Sequence, residues 1–83
     1  MAAEGAAIGN DCVVSDFVQI KPKSVIKKSV IGKYVTIGEN CRIVNSIILD
    51  NCVIEDGVEL QSCFVLPGNV ITDLKIQGRV VDN

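Results

Sequence analysis

The side chains able to do chemistry in this chain are few, and their spacing does not assemble a reaction centre. There is no histidine, so the commonest general base and the commonest neutral metal ligand are both missing. Four cysteines, Cys12, Cys41, Cys52 and Cys63, show no C-x-x-C pair, so a zinc site lacks its usual ligand spacing. The serines have no base beside them. The glycines are scattered between short apolar steps and do not form a phosphate-cradling loop between a strand and a helix. No nucleophile, base and orienting group can be brought together from this inventory. The expectation is a chain that is not an enzyme and takes no cofactor or metal.

The elements that position these residues follow from a repeat. From Ile26 the aliphatic markers run Ile31, Ile37, Ile43, Ile48, Ile54, Leu60, Val65 and Ile71, in steps of five, six and six, which is a period of 17 residues. Ile20, Val14 and Ile8 continue the series upstream, and Ile76 extends it downstream. A fixed period of this length marks a solenoid, here of about four coils. A second series sits two residues before each marker: Cys12, Val18, Ser24, Ser29, Val35, Cys41, Ser46, Cys52, Val58 and Cys63. In a strand, residues i and i−2 face the same side, so a large and a small side chain point inward together at every step. Three short strands per coil then describe a triangular prism. Gly9, Gly32, Gly38, Gly57 and Gly68, with Asn40, Asn51 and Asn69, stand near its corners, where positive φ is tolerated.

This register decides how the cysteines read. Each occupies an inward small position that Ser or Val fills in other coils. Cys12 and Cys63 share a column but lie three coils apart, roughly 14 Å at strand spacing, too far for a disulfide. Cys41 and Cys52 fall on different faces. Buried free thiols are therefore expected, which points to a reducing, cytosolic location.

A chain of 83 residues, 48% of them hydrophobic and 4% aromatic, suits a narrow interior of stacked aliphatics better than one globular core. A formal net charge of −2 gives no reason to expect a nucleic-acid partner, and no apolar run approaches the ~18 residues of a membrane span. Residues 1–7 carry no basic region or long apolar run and read as a flexible leader or a remnant of a cut from a longer chain. Residues 8–77 read as the solenoid. Its first coil, 8–25, has Pro22 at an outward corner, and 26–42 and 43–59 are the most regular coils. From Leu60 the pattern drifts, with Asn69 and Leu74 standing where small inward residues belong. The segment 78–83 is expected to be a tail that frays or folds back.

Stacking by 17 turns outward positions into ladders. Asp16, Lys33 and Asp50 alternate in sign, and Arg42 falls beside Glu59, each an exposed pairing worth little. Glu39, Asp56 and Asp73 carry one sign throughout, a strip for a basic partner or a cation if it is more than solvated corners. Lys21, Lys23, Lys27, Lys28 and Lys33 gather positive charge on the early coils. The informative ladder is apolar. Val13, Val30, Ile47 and Phe64 lie one position before a marker and therefore point outward in one column, with Leu49, Leu66 and Val44 at neighbouring outward positions. A contiguous apolar stripe on a small domain marks an interaction surface, and these residues are the candidate partner interface.

The hexads IGKYVT (31–36) and IGENCR (37–42) resemble the repeats of left-handed parallel β-helices, an all-β class whose hand is an exception to the usual crossover rule. That family's acyltransferases and carbonic anhydrases depend on histidine, so both activities are excluded for this chain. Within the superfamily, the stretch IKKSVIGKYVTIGENCRIVNSIILDNCVIEDGVELQSC (26–63) is similar to the C-terminal domain of the gamma subunits of eukaryotic translation initiation factor 2B, through its "SVIG", "I-x-NS" and "V-x-IEDG" phrases. The resemblance covers about residues 9–66, and the epsilon subunit and sugar-nucleotide pyrophosphorylases carry similar coils. It implies a cytoplasmic, non-catalytic scaffold that contacts other subunits of that factor, notably epsilon, and initiation factor 2, in the assembly that exchanges GDP for GTP. The same repeat is compatible with the C-terminal oligomerisation domain of a sugar-nucleotide pyrophosphorylase, or with a small solenoid adaptor subunit like those of dynactin. No membrane and no direct nucleic-acid contact are expected.

Overall fold

A computed structural model describes residues 6–82. They form an all-β parallel solenoid of about four turns. Its strands, numbered along the chain, fall into three sheets that are the faces of a prism. The first face holds β1 (Ala7–Ile8), β4 (Val25–Lys27), β7 (Arg42–Val44), β10 (Glu59–Gln61) and β13 (Lys75–Gln77). The second holds β2 (Val13–Val14), β5 (Val30–Ile31), β8 (Ile47–Ile48), β11 (Phe64–Val65) and β14 (Val80–Val81). The third holds β3 (Gln19–Ile20), β6 (Thr36–Ile37), β9 (Val53–Ile54) and β12 (Val70–Ile71). Every pairing is parallel, and the markers stack in register, Ile20 on Ile37, Ile26 on Ile43 and Ile31 on Ile48.

The interior is the two inward series of the sequence. Ile26, Ile31, Ile37, Ile43, Ile48, Ile54 and Leu60 are fully buried, with Val18, Val35, Val58, Cys41, Cys52 and Cys63 beside them. Full burial of each large aliphatic is worth about 1.5–3 kcal/mol, and no strand could supply it alone. Strands of two or three residues acquire a core only by stacking. Ile8 departs from the inward series: it is 38% exposed, because β1 pairs only with β4 and no strand among the described residues lies on its other side.

Each corner is turned by one residue in the left-handed region, except the first, between β1 and β2, and the one between β12 and β13. The three corner columns are Phe17, Tyr34, Asn51 and Gly68; Lys23, Asn40 and Gly57; and Lys28, Asn45, Ser62 and Gly78. After the first residue of each column, the N–H of the turning residue donates to a carbonyl of the preceding coil, as Asn51 does to Lys33 at 2.9 Å and Gly57 to Glu39 at 2.8 Å. Asn40, Asn51, Gly57 and Gly68 are corner residues as the sequence suggested. Gly9, Gly32 and Gly38 do not have positive φ, and Asn69 is an inward residue, 4% exposed.

The small inward column does more than save space. Ser24 Oγ donates to the Gly38 carbonyl at 2.5 Å and accepts from the Cys41 N–H at 3.1 Å. Cys41 Sγ donates to the Glu55 carbonyl at 3.0 Å and Cys52 Sγ to the Leu66 carbonyl at 3.2 Å. Ser46 Oγ donates to its neighbour Val44 O at 2.9 Å and accepts the Cys63 N–H at 3.2 Å. No buried side-chain nitrogen or oxygen among the described residues lacks a partner.

The last coil is shortened. Leu60 pairs with Ile76 and Phe64 with Val80, each 16 residues on, so Leu74 falls outside the prism and is 69% exposed instead of facing inward. The same shift carries Val80–Val81 onto β11, with Val81 buried. Residues 78–82 are therefore the start of another coil and not a frayed tail. Of the expected leader, residues 1–5 lie outside the described residues, while Ala7 already belongs to β1.

Ser24→Ala keeps the small volume but strands a buried N–H and a carbonyl. It should lower stability by about 1–3 kcal/mol, while Ser24→Cys, the residue that Cys41 places one coil later in the same column, should cost less. Urea unfolding followed by circular dichroism checks both.

Candidate interaction surface

The second face presents the apolar column as a continuous outward ladder. Val13 pairs with Val30, Val30 with Ile47 and Ile47 with Phe64. All four are exposed, from 59% at Val13 to 37% at Phe64. Val80 continues the column beyond Phe64 and is also exposed. The period of 17 missed it, because the final turn is one residue shorter. Leu49 and Leu66 sit at the corner beside this face and are half-buried. Val44 is half-buried on the first face, across the corner turned by Asn45. The exposed stripe is thus one residue wide.

A second apolar feature flanks it. Phe17 and Tyr34, exposed at the corner between the second and third faces, stack with ring centroids 5.0 Å apart and planes 6° from parallel. Their spacing of 17 residues, the period itself, was the signal available in the sequence.

The charged ladders resolve differently. Asp50 Oδ1 accepts the Lys33 backbone N–H at 2.8 Å, and Asp56 Oδ1 accepts that of Glu39 at 2.8 Å. These carboxylates tie one coil's turn to the next, and neither pairs with a cation. Gly32 and Gly38 are glycines for this reason: a Cβ there would collide with the Asp50 or Asp56 side chain and with the backbone next to it. Asp16, Lys33 and Asp50 therefore form no ion-pair ladder. Among the described residues the one ion pair is Arg79 with Asp73, at 3.5 Å and exposed. Arg42 and Glu59 are neighbours in register without meeting as an ion pair, and with Lys27, Val44 and Gln61 they line a shallow groove of about 240 Å³ on the first face. In the strip Glu39, Asp56 and Asp73, two of the three carboxylates thus have protein partners, and no group of three His, Cys, Asp or Glu among the described residues is arranged to hold a metal.

All four thiols are free, Cys12 half-buried and the others buried. Burial pushes the Cys41 thiol above its ordinary value, an effect that backbone hydrogen bonds involving Val58 and Gly57 only partly oppose.

Residues 2–81 match the family described as the GMPPB C-terminal domain. The chain belongs to that family. The GMPPB C-terminal domain is a hexapeptide-repeat domain of the sugar-nucleotide pyrophosphorylase-like kind, and its match extends beyond the stretch whose phrases resemble initiation factor 2B, taking in the apolar column from Val13 to Val80.

Two outcomes test the packing around these sites. Gly38→Ala should destabilise by about 1–3 kcal/mol, the usual result of forcing extra volume into a packed contact, and removing the opposing side chain in a Gly38→Ala/Asp56→Ala double variant should leave the backbone part of that clash; thermal melts decide. The folded Cys41 thiol holds its proton to higher pH than the unfolded thiol. Its contribution is therefore complete below the ordinary thiol value of 9.0 and declines as pH rises past it. Cys41→Ser should flatten that alkaline decline in denaturant titrations.

Proposed function

We propose that this domain is the non-catalytic solenoid of an initiation factor 2B gamma subunit, holding it against the other subunits, notably epsilon, and against initiation factor 2 in the assembly that exchanges GDP for GTP. The observation that carries the assembly role is the exposed, in-register column Val13, Val30, Ile47 and Phe64. Apolar side chains repeated at one outward position over successive coils gain nothing in water and fit a complementary protein face. The gamma-subunit reading is supported by the phrases in residues 26–63. The absence of histidine from the chain supports a role without chemistry of its own, and the free thiols fit a cytoplasmic setting.

The match to the GMPPB C-terminal domain favours a second reading, in which the same face joins copies of a sugar-nucleotide pyrophosphorylase. Both readings use the column as an assembly surface and differ in what it meets.

Ile47→Asp and Phe64→Asp should leave stability within about 0.5 kcal/mol, as exposed substitutions do, while abolishing partner recovery. Ile37→Asp, which buries an unpaired charge, should unfold the domain. Affinity capture from cytosolic extract with mass spectrometry, beside circular dichroism melts, checks this. Recovery of initiation factor 2B subunits that is lost with Phe64→Asp supports the first reading, and recovery of a pyrophosphorylase alone replaces it with the second. Outward variants that melt as badly as Ile37→Asp would refute the surface role of the column.

A further inference from the structure

Among the described residues, the strands of the second and third faces carry no charge. Every charged residue in a strand lies on the first face: Lys27, Arg42, Glu59 and Lys75. Three cations against one carboxylate leave this face with an excess of positive charge, in a chain whose net charge is −2. None of the four is in an ion pair, although Arg42 and Lys75 lie in register on either side of Glu59. The flanking corners carry Lys23 and Lys28 before and after β4, and carboxylates at Asp11, Glu39, Asp56 and Asp73. Asp56 and Asp73 already accept from the Glu39 N–H and from Arg79, and none of these corner residues lines the groove on this face.

That groove exists because one side chain is short. Val44 has Lys27 and Gln61 as its register neighbours, so a half-buried valine lies between two long side chains. Arg42 and Glu59 close the hollow from the other outward column, and its volume is about 240 Å³. The polar groups divide by role. Lys27 and Arg42, diagonal neighbours on β4 and β7, can only donate. Gln61 Oε1 accepts from Gln77 Nε2 at 3.1 Å, which leaves the Gln61 amide nitrogen to donate. The Glu59 carboxylate is the acceptor.

A ligand that answers this set brings an anionic group to Lys27 and Arg42 and hydroxyl groups to Glu59 and Gln61. A phosphate monoester carries about −1.5 to −2 charge at neutral pH, which matches the excess on the face, and its oxygens suit a guanidinium and an ammonium together. A cation on the ligand is disfavoured, because Glu59 already stands between Arg42 and Lys75. A nucleobase has no ring in the lining on which to stack. The volume falls below the ~300–1,000 Å³ of sites for drug-sized ligands, so the molecule is small.

We propose that the groove over Val44 is a binding site for a small polyhydroxylated phosphate monoester, its phosphate held by Lys27 and Arg42 and its hydroxyls by Glu59 and Gln61. The site lies on a different face from the apolar column and stands independently of the assembly reading.

Glucose 6-phosphate is the probe, titrated into the isotope-labelled chain and followed by amide NMR, with inorganic phosphate and glucose as controls. Saturable shifts should centre on Lys27, Arg42, Val44, Glu59 and Gln61, and the probe should bind about ten-fold tighter than either control. Arg42→Gln should weaken it about ten-fold, the usual worth of a charged hydrogen bond. Two variants separate a site from a general attraction of anions to a basic face. Val44→Lys adds a positive charge but fills the hollow, so binding should be lost. Glu59→Gln removes the acceptor and a negative charge, so the probe should bind more weakly and inorganic phosphate more tightly. Neither variant replaces an inward side chain, and the spread of the amide spectrum reports that each is folded. No saturable shift, shifts spread over all the lysines, equal binding of inorganic phosphate, or tighter binding in Val44→Lys would overturn the proposal.

Discussion

The structure depends on how the backbone is satisfied at the corners. Strands of two or three residues leave much of each coil outside regular pairing, and a buried amide without a partner costs about as much as a lost hydrogen bond. Two devices solve this, one facing out and one facing in. The left-handed corner residue points its N–H at a carbonyl one coil back, as Asn45 does to Lys27 and Gly68 to Asp50, both at 3.0 Å. The small inward residue reaches forward, as Ser24 does to Gly38 and Cys41 to Glu55, 14 residues on. With coils linked in both directions, the aliphatic markers have no freedom but to stack. The core is then a consequence of the corners as much as their cause.

The markers were legible because inward packing admits one answer: a large aliphatic at every step, with nothing polar able to replace it. The small column was legible in size but not in chemistry. Ser, Cys and Val interchange there, which reads as a volume rule, and the sequence does not reveal which carbonyl lies within reach of a hydroxyl or thiol. Glycine misled in the opposite way. Gly32 and Gly38 were read as conformational, whereas they make room for Asp50 and Asp56, and several true left-handed corners are Lys, Phe, Tyr or Ser. Charge patterning misled because adjacency in a ladder suggests pairing, yet an exposed ion pair is worth so little that the Asp50 and Asp56 carboxylates take backbone N–H groups instead. The end of the solenoid was missed through a single residue. One fewer in the last coil moves Leu74 outward and brings Val81 in, a change that a fixed period cannot anticipate.

The candidate surface was legible to the same degree as the register that generates it. Once the markers fix which way each strand faces, Val13, Val30, Ile47 and Phe64 have to point outward in line. What the register does not convey is width. Leu49, Leu66 and Val44 are outward by alternation, yet the corners half-bury them, so the stripe is narrower than the sequence suggests.

This division between inside and outside explains why the family is clear and the role needs a further step. Inward positions answer to the prism: Ile, Val, Ser and Cys at those sites fill its interior and satisfy its corners. Outward strand columns are released from that demand, since replacing a side chain such as Val30 or Ile47, unlike the corner carboxylates Asp50 and Asp56, leaves the coil-to-coil hydrogen bonds intact. Identity is therefore written where the fold is indifferent. Val80 makes the point: the shortened last coil changes the spacing of the chain, yet the residue that reaches the outward position beside Phe64 is again apolar. The shift leaves the interior filled, by Val81 and Val65, and leaves the outward column apolar over all five strands of the second face.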